Sequence, residues 1–162
     1  MDLMGPRQTE SKDGKKYILV VAYDFSRYSF MFFLIEKYET IEQWKILWTR
    51  IHVEKRHPIV RIRNDWEREF DIVEIDHFYD FKEIKHEMPL ELPNKMECLR
   101  ERTHVFQEIA WVILHTHVTL IYFWAKAINT TCYTANRKKN HDYSYNTKEL
   151  IITNILQVIV RR

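Results

Sequence analysis

Between Tyr17 and Tyr23 the chain reads Tyr-Ile-Leu-Val-Val-Ala-Tyr, with no charge and no turn-forming residue. A run of this length is strand-sized. Having no polar face, it must be covered on both sides, as a central strand is in a layered α/β domain. Ser26 and Arg27 punctuate the run, and Ser29 to Glu36 reads as a second strand paired with it in a hairpin. Thr40 is placed to cap a helix through about Lys55, with Ile41, Trp44, Leu47, Trp48 and Ile51 at helical spacing. His57-Pro58 stops that helix, and Ile59 to Asn64 reads as a third short strand. Ile72 to Ile84 reads as a charged, aromatic helix. Met88 to Glu97, with Pro89 and Pro93, reads as an extended loop. Two more helices are expected over about Glu101 to His115 and Tyr122 to Ala135. The order describes an α/β fold with a mixed sheet flanked by helices.

Composition excludes more than it assigns. A chain of 162 residues with 46% hydrophobic residues can bury the core of one domain. It has two glycines, Gly5 and Gly14, where average usage of roughly 7% predicts about eleven. No two glycines are close enough to build a phosphate-cradling loop or a nucleophile elbow. A net charge of +2 is no broad polycation. Cys98 and Cys132 form neither a C-x-x-C pair nor a disulfide framework, as expected in a reducing compartment. No apolar run approaches the ~18 residues of a membrane span, and Asp2, Gly5 and Pro6 interrupt any signal-peptide core.

Four segments, in order, carry a family resemblance. They are Met1-Asp-Leu-Met-Gly-Pro6, Gly14 to Arg27 (Gly-Lys-Lys-Tyr-Ile-Leu-Val-Val-Ala-Tyr-Asp-Phe-Ser-Arg), Ile59 to Phe70 (Ile-Val-Arg-Ile-Arg-Asn-Asp-Trp-Glu-Arg-Glu-Phe) and Tyr122 to Arg137. Together they resemble the integrase core of Copia-type LTR retrotransposons, especially those of plants. The resemblance covers residues 1–137 and leaves 138–162 as a divergent tail. It implies a ribonuclease-H-like fold, here with its first strand truncated, and insertion of element DNA into a genome. It also implies Mg²⁺ or Mn²⁺ as cofactor, DNA as partner, a nuclear location and homodimers formed through helices. The family's zinc-binding segment would lie before Met1.

Such a site needs acids on neighbouring strand ends and a third from a helix, because hard divalent cations take carboxylate oxygens and two of them can hold the attacking and leaving oxygens at phosphorus. By resemblance, Asp2 on the first strand and Asp65 after a later strand are the metal ligands. Asp24 is not part of the family's metal site and reads as a turn residue of the hairpin. The third acid departs from the pattern. Where the family reads T-P-Q-Q-N-G-V-V-E-R-K-N, this chain has Pro93-Asn-Lys-Met-Glu-Cys-Leu-Arg-Glu-Arg-Thr103. Counting forward from Asp65 points to Glu101 as the catalytic glutamate. Counting back from Phe106-Gln-Glu108 points to Arg100, and one residue on a helix is about 100° of rotation. The downstream count belongs to the same helix as the acid, so the expectation is a catalytically inactive core. The alternative function is a non-enzymatic remnant that binds nucleic acid or self-associates.

Remaining candidates are weaker. His115-x-His117 lacks neighbouring cysteines at zinc spacing. Trp44, Trp48 and the aromatics of Tyr122 to Trp124 read as core rather than base-stacking platforms. Lys15, Lys16, Arg61 and Arg63 are candidate phosphate contacts, and Lys138-Lys139 and Arg161-Arg162 extend the set. Against the family pattern, Glu67 stands at a glycine position, and Glu83 stands where glycine usually precedes Ile-Lys-His. Met88 to Thr103 can be encoded so that, one nucleotide out of phase, it spells Ala-Pro-Arg-Thr-Pro-Gln-Gln-Asn-Gly-Val-Phe-Glu-Arg-Lys-Asn. Our hypothesis is therefore two compensating frameshifts, near Glu87 and near His104. The nucleotide sequence over these codons is expected to restore that motif in the shifted frame; codons that do not restore it eliminate the idea.

Overall fold

The computed structural model describes residues 1–24, 26–55, 59–63, 72–87, 93–116 and 120–137. Strands β1 (Asp2–Met4), β2 (Tyr17–Ala22) and β3 (Ser29–Leu34) form an antiparallel sheet in the order β1-β2-β3, with Asp2 opposite Val20 and Val20 opposite Met31. Helix α1 (Glu39–Lys55) follows, then β4 (Arg61–Arg63), α2 (Ile72–Phe81) and β5 (Lys85–Glu87). β4 and β5 pair in parallel, Arg63 opposite Glu87. Helix α3 (Pro93–Thr116), a 3-10 turn (Ile121–Phe123) and α4 (Trp124–Arg137) complete the described order.

The uncharged run becomes the middle strand, and its alternation builds the layers. Successive side chains of a strand point to opposite faces. Ile18 and Val20 pack into a core with Phe106, Ile109 and Ile113 of α3 and Trp124, Ile128 and Cys132 of α4. Leu19 and Val21 pack into a second core with Trp44, Leu47 and Trp48 of α1, Ile62 of β4 and Ile75 and Tyr79 of α2. Ile18, Leu19 and Val20 are each 0% exposed, which is why the run tolerates no polar residue. Trp44 and Trp48 are core residues, as their spacing predicts.

Three elements differ from the sequence expectations. Pro93 does not exclude a helix but begins one: a first helical position needs no N–H partner and suits the fixed φ of proline. Thus α3 extends eight residues N-terminal to Glu101. Thr40 lies inside α1, where its hydroxyl donates to the Lys37 carbonyl at 2.6 Å, while the Glu39 carboxylate accepts from the Glu36 N–H at 3.2 Å. The expected helix over Ile72 to Ile84 ends at Phe81, and Lys85–Glu87 is a strand. Residues 88–92 of the expected loop, and the tail 138–162, lie outside the described residues.

The stop after α2 has a specific geometry. Ile84 N–H donates to the Tyr79 carbonyl at 2.9 Å and Glu83 N–H to the Asp80 carbonyl at 3.1 Å. These two bonds make a Schellman motif, whose penultimate residue is left-handed and usually glycine. Here it is Glu83, at φ 54°. Gly5 shows the converse: at φ 129°, a Cβ there would sit 2.7 Å from the Lys16 carbonyl oxygen. Urea denaturation is therefore expected to show Glu83→Gly stabilising by about 1 kcal/mol and Gly5→Ala destabilising by about 2 kcal/mol.

Candidate functional site

Asp2 is the first residue of β1, and its backbone neighbour reaches across to β4: the Met1 nitrogen donates to the Arg63 carbonyl. The start of β1 and the end of β4 therefore meet. Asp2 is half-buried. Burial pushes its carboxyl above the ordinary range, and the Met1 amino group and the Arg100 guanidinium act in the opposite direction. Arg100 on α3 is thus close enough for its charge to bear on Asp2. Arg100 and Glu101 are both exposed. Asp65 and Glu67 lie outside the described residues. Among the described residues no group of three His, Cys, Asp or Glu side chains is placed to hold a metal ion.

Beside Asp2 sits an ionic network that the sequence did not reveal. Glu87, at the end of β5, is 5% exposed. It accepts from Arg63 Nε at 2.6 Å and Arg61 Nε at 2.8 Å. Arg63 also donates through a terminal guanidinium nitrogen to Asp24 at 2.9 Å, and the other Asp24 oxygen lies 3.3 Å from Arg27. Asp24 is therefore more than a turn residue: it ties the β2–β3 turn to β4. Burial by itself raises the Glu87 carboxyl, but the hydrogen bond and charge of Arg63, with Arg61 and Lys85 behind them, bring it below the ordinary carboxylate range. The parallel register explains the pairing. Arg63 and Glu87 are opposed across β4 and β5, so the ion pair is a cross-strand pair.

The candidate phosphate contacts are placed differently from one another. Arg61 and Arg63 carry the charge that balances Glu87. Lys16 pairs with Glu10 at 3.2 Å. Lys15 is half-buried, its backbone N–H bonded to the Ser11 hydroxyl at 3.0 Å. His115 is in the last turn of α3, its ring 2.9 Å from the Trp111 carbonyl, and His117 lies outside the described residues. No helix among the described residues is long and apolar enough to cross a membrane.

No family model matches the chain. Over 154 residues, 94% of its length, it is 24% identical to the retrovirus-related Pol polyprotein from transposon TNT 1-94 of Nicotiana tabacum, of which it spans 12%. This similarity supports an origin in a retrotransposon polyprotein. The four segments of the resemblance lie at residues 1–6, 14–27, 59–70 and 122–137. One of those segments also has a visible structural task. Asn136 of α4 donates to the Ser29 carbonyl at 2.7 Å and accepts from the Ser29 N–H at 3.0 Å, fastening the helix to the first residue of β3.

The two carboxylates have opposite pH signatures. Glu87, lowered in the folded state, contributes stability present above the unfolded carboxylate range of about 4 and lost as pH falls through its folded value. Asp2, raised in the folded state, favours the fold in acid and loses that contribution as pH rises through the same range and above it. In thermal melts, Glu87→Gln is expected to lower Tm at neutral pH and to flatten the acid decline. Asp2→Asn is expected to raise Tm at neutral pH, with the gain vanishing near pH 3, about a unit below the ordinary carboxylate range.

Proposed function

We propose that this chain is a retroelement-derived integrase core, of ribonuclease-H-like architecture, in which the scaffold persists and the metal-dependent strand transfer does not. The reading rests on the residue order of α3: counted back from Phe106, Arg100 falls where the resemblance calls for the glutamate, and its charge acts on Asp2. A guanidinium is permanently positive. At the helical position where the resemblance calls for a carboxylate, it supplies the same sign as the ions that the site would hold. Asp65, the second acid that the resemblance implies, lies outside the described residues, and no catalytic step is assigned through divalent cations. The architecture is supported by an antiparallel trio of strands beside a parallel pair, linked by Met1 and Arg63, with helices on both faces of β2.

DNA is the partner that the resemblance implies. With Arg61, Arg63 and Lys16 balanced by acids, duplex binding would rest on the remaining cations and fall steeply with salt.

Purified protein given Mg²⁺ or Mn²⁺ and end-matched DNA is expected to join no strands. Metal-dependent joining that Asp65→Asn abolishes contradicts the proposal. In a parallel Mn²⁺ titration, Arg100→Glu is expected to bind the ion more tightly than the unaltered chain, since it exchanges a repelling charge for an oxygen ligand.

A further inference from the structure

Away from Asp2 and the Glu87 network, the loop after β1 lies against α3 and α4 and leaves a cavity of about 390 Å³. Its apolar wall comes from Trp111 and Leu114 of α3, Ile121 of the 3-10 turn and Trp124 of α4, with Gln107 at the edge. The residue that gives it chemical character is Arg7. Its guanidinium carbon stands 5.6 Å from the centre of the Trp124 ring. Its backbone N–H is used by the Lys16 carbonyl, and the nearby acid Glu10 is paired with Lys16. Among the described residues no carboxylate pairs with the Arg7 guanidinium, which is half-buried.

The wall itself is firm. Trp124 is 6% exposed, and its indole N–H donates to the Thr9 carbonyl at 2.9 Å, locking the loop against α4. Trp111, by contrast, is 44% exposed, and Ile121 is 46% exposed. Large apolar side chains presented to solvent around one cation are the usual ingredients of a small-molecule site: a mostly apolar concavity with a polar group that fixes orientation. The volume lies in the range of such sites, roughly 300–1,000 Å³. A half-buried guanidinium over an indole presents its N–H fork at low conformational cost and favours an oxyanion with two oxygens for the fork to reach. Burial also draws the Arg7 pKa down, as expected of a cation without an anionic neighbour.

The geometry points to a binding site for a small molecule that carries one oxyanion, carboxylate or sulfonate, on an aromatic or branched apolar body. The oxyanion rests on Arg7, and the body lies against Trp111, Leu114 and Ile121. This site is independent of the metal chemistry, because none of its residues belongs to the candidate metal set.

The test uses two fluorescent probes of nearly the same shape, anilinonaphthalene sulfonate and its uncharged counterpart phenylnaphthylamine. On the unaltered protein, the sulfonate is expected to bind at one site about tenfold or more tightly than the neutral probe, the increment of a charge-assisted contact. Arg7→Met is expected to remove that advantage and leave the neutral probe unchanged, and Trp111→Ala to weaken both. Equal affinities of the two probes for the unaltered protein overturn the inference without any variant. So does an Arg7→Met protein that melts cooperatively and still prefers the sulfonate.

Discussion

A carboxylate that is 5% exposed, Glu87, keeps its charge because two guanidinium groups reach it from the adjacent strand. Taking a carboxylate out of water costs several kcal/mol unless cations and hydrogen bonds replace the solvent. Arg61 and Arg63 do both, and Arg63 then passes the connection to Asp24 in the β2–β3 turn. Its backbone carbonyl accepts from Met1. One arginine thus joins β1, β4, β5 and the hairpin turn. The antiparallel trio and the parallel pair are held in one place by charge as well as by the core that Ile62, Leu19 and Met1 share. The network thus holds the end of β4, at Arg63, against the start of β1, which carries Asp2.

Under the proposed reading, this arrangement lets the scaffold stand without the site's chemistry. The interactions that set the strand ends are arginine–carboxylate pairs and two apolar cores, and none of them needs a metal. Arg100 bears on Asp2 as a fixed positive charge and helps keep that half-buried carboxylate ionised. A fixed positive charge acting on Asp2 opposes, rather than replaces, a divalent cation there. The residues that hold the strand ends, Glu87 and Arg63, are therefore distinct from Asp2, the described acid of the proposed site.

What the sequence made legible was whatever periodicity or local chemistry records. The uncharged run of β2, the hairpin and the apolar spacing of α1 all follow from side-chain patterns and recur in the structure. Glu87 was not legible, because Lys-His-Glu carries no strand signature, and its burial depends on arginines 24 and 26 positions earlier in the chain. Pro93 was misread because a helix-breaking residue and a helix-starting residue are the same residue at different positions. Glu83 was legible only as a departure from the family pattern, and the Schellman hydrogen bonds supply the physical reason a glycine suits that place. In the candidate site, the rotation between Arg100 and Glu101 could be argued from helical geometry alone. That the Arg100 charge acts on Asp2 is visible only in the fold.

The central claim is that the chain retains the framework of an integrase core while its acids no longer form a divalent-metal site. Anomalous diffraction from crystals of the protein grown with Mn²⁺ addresses it most directly, since the ion reports its own position. The account predicts no anomalous peak beside Asp2 and the Arg100 side chain directed toward the Asp2 carboxylate. A Mn²⁺ ion bridging Asp2 and Asp65, with Glu101 turned in to complete its shell, would contradict it.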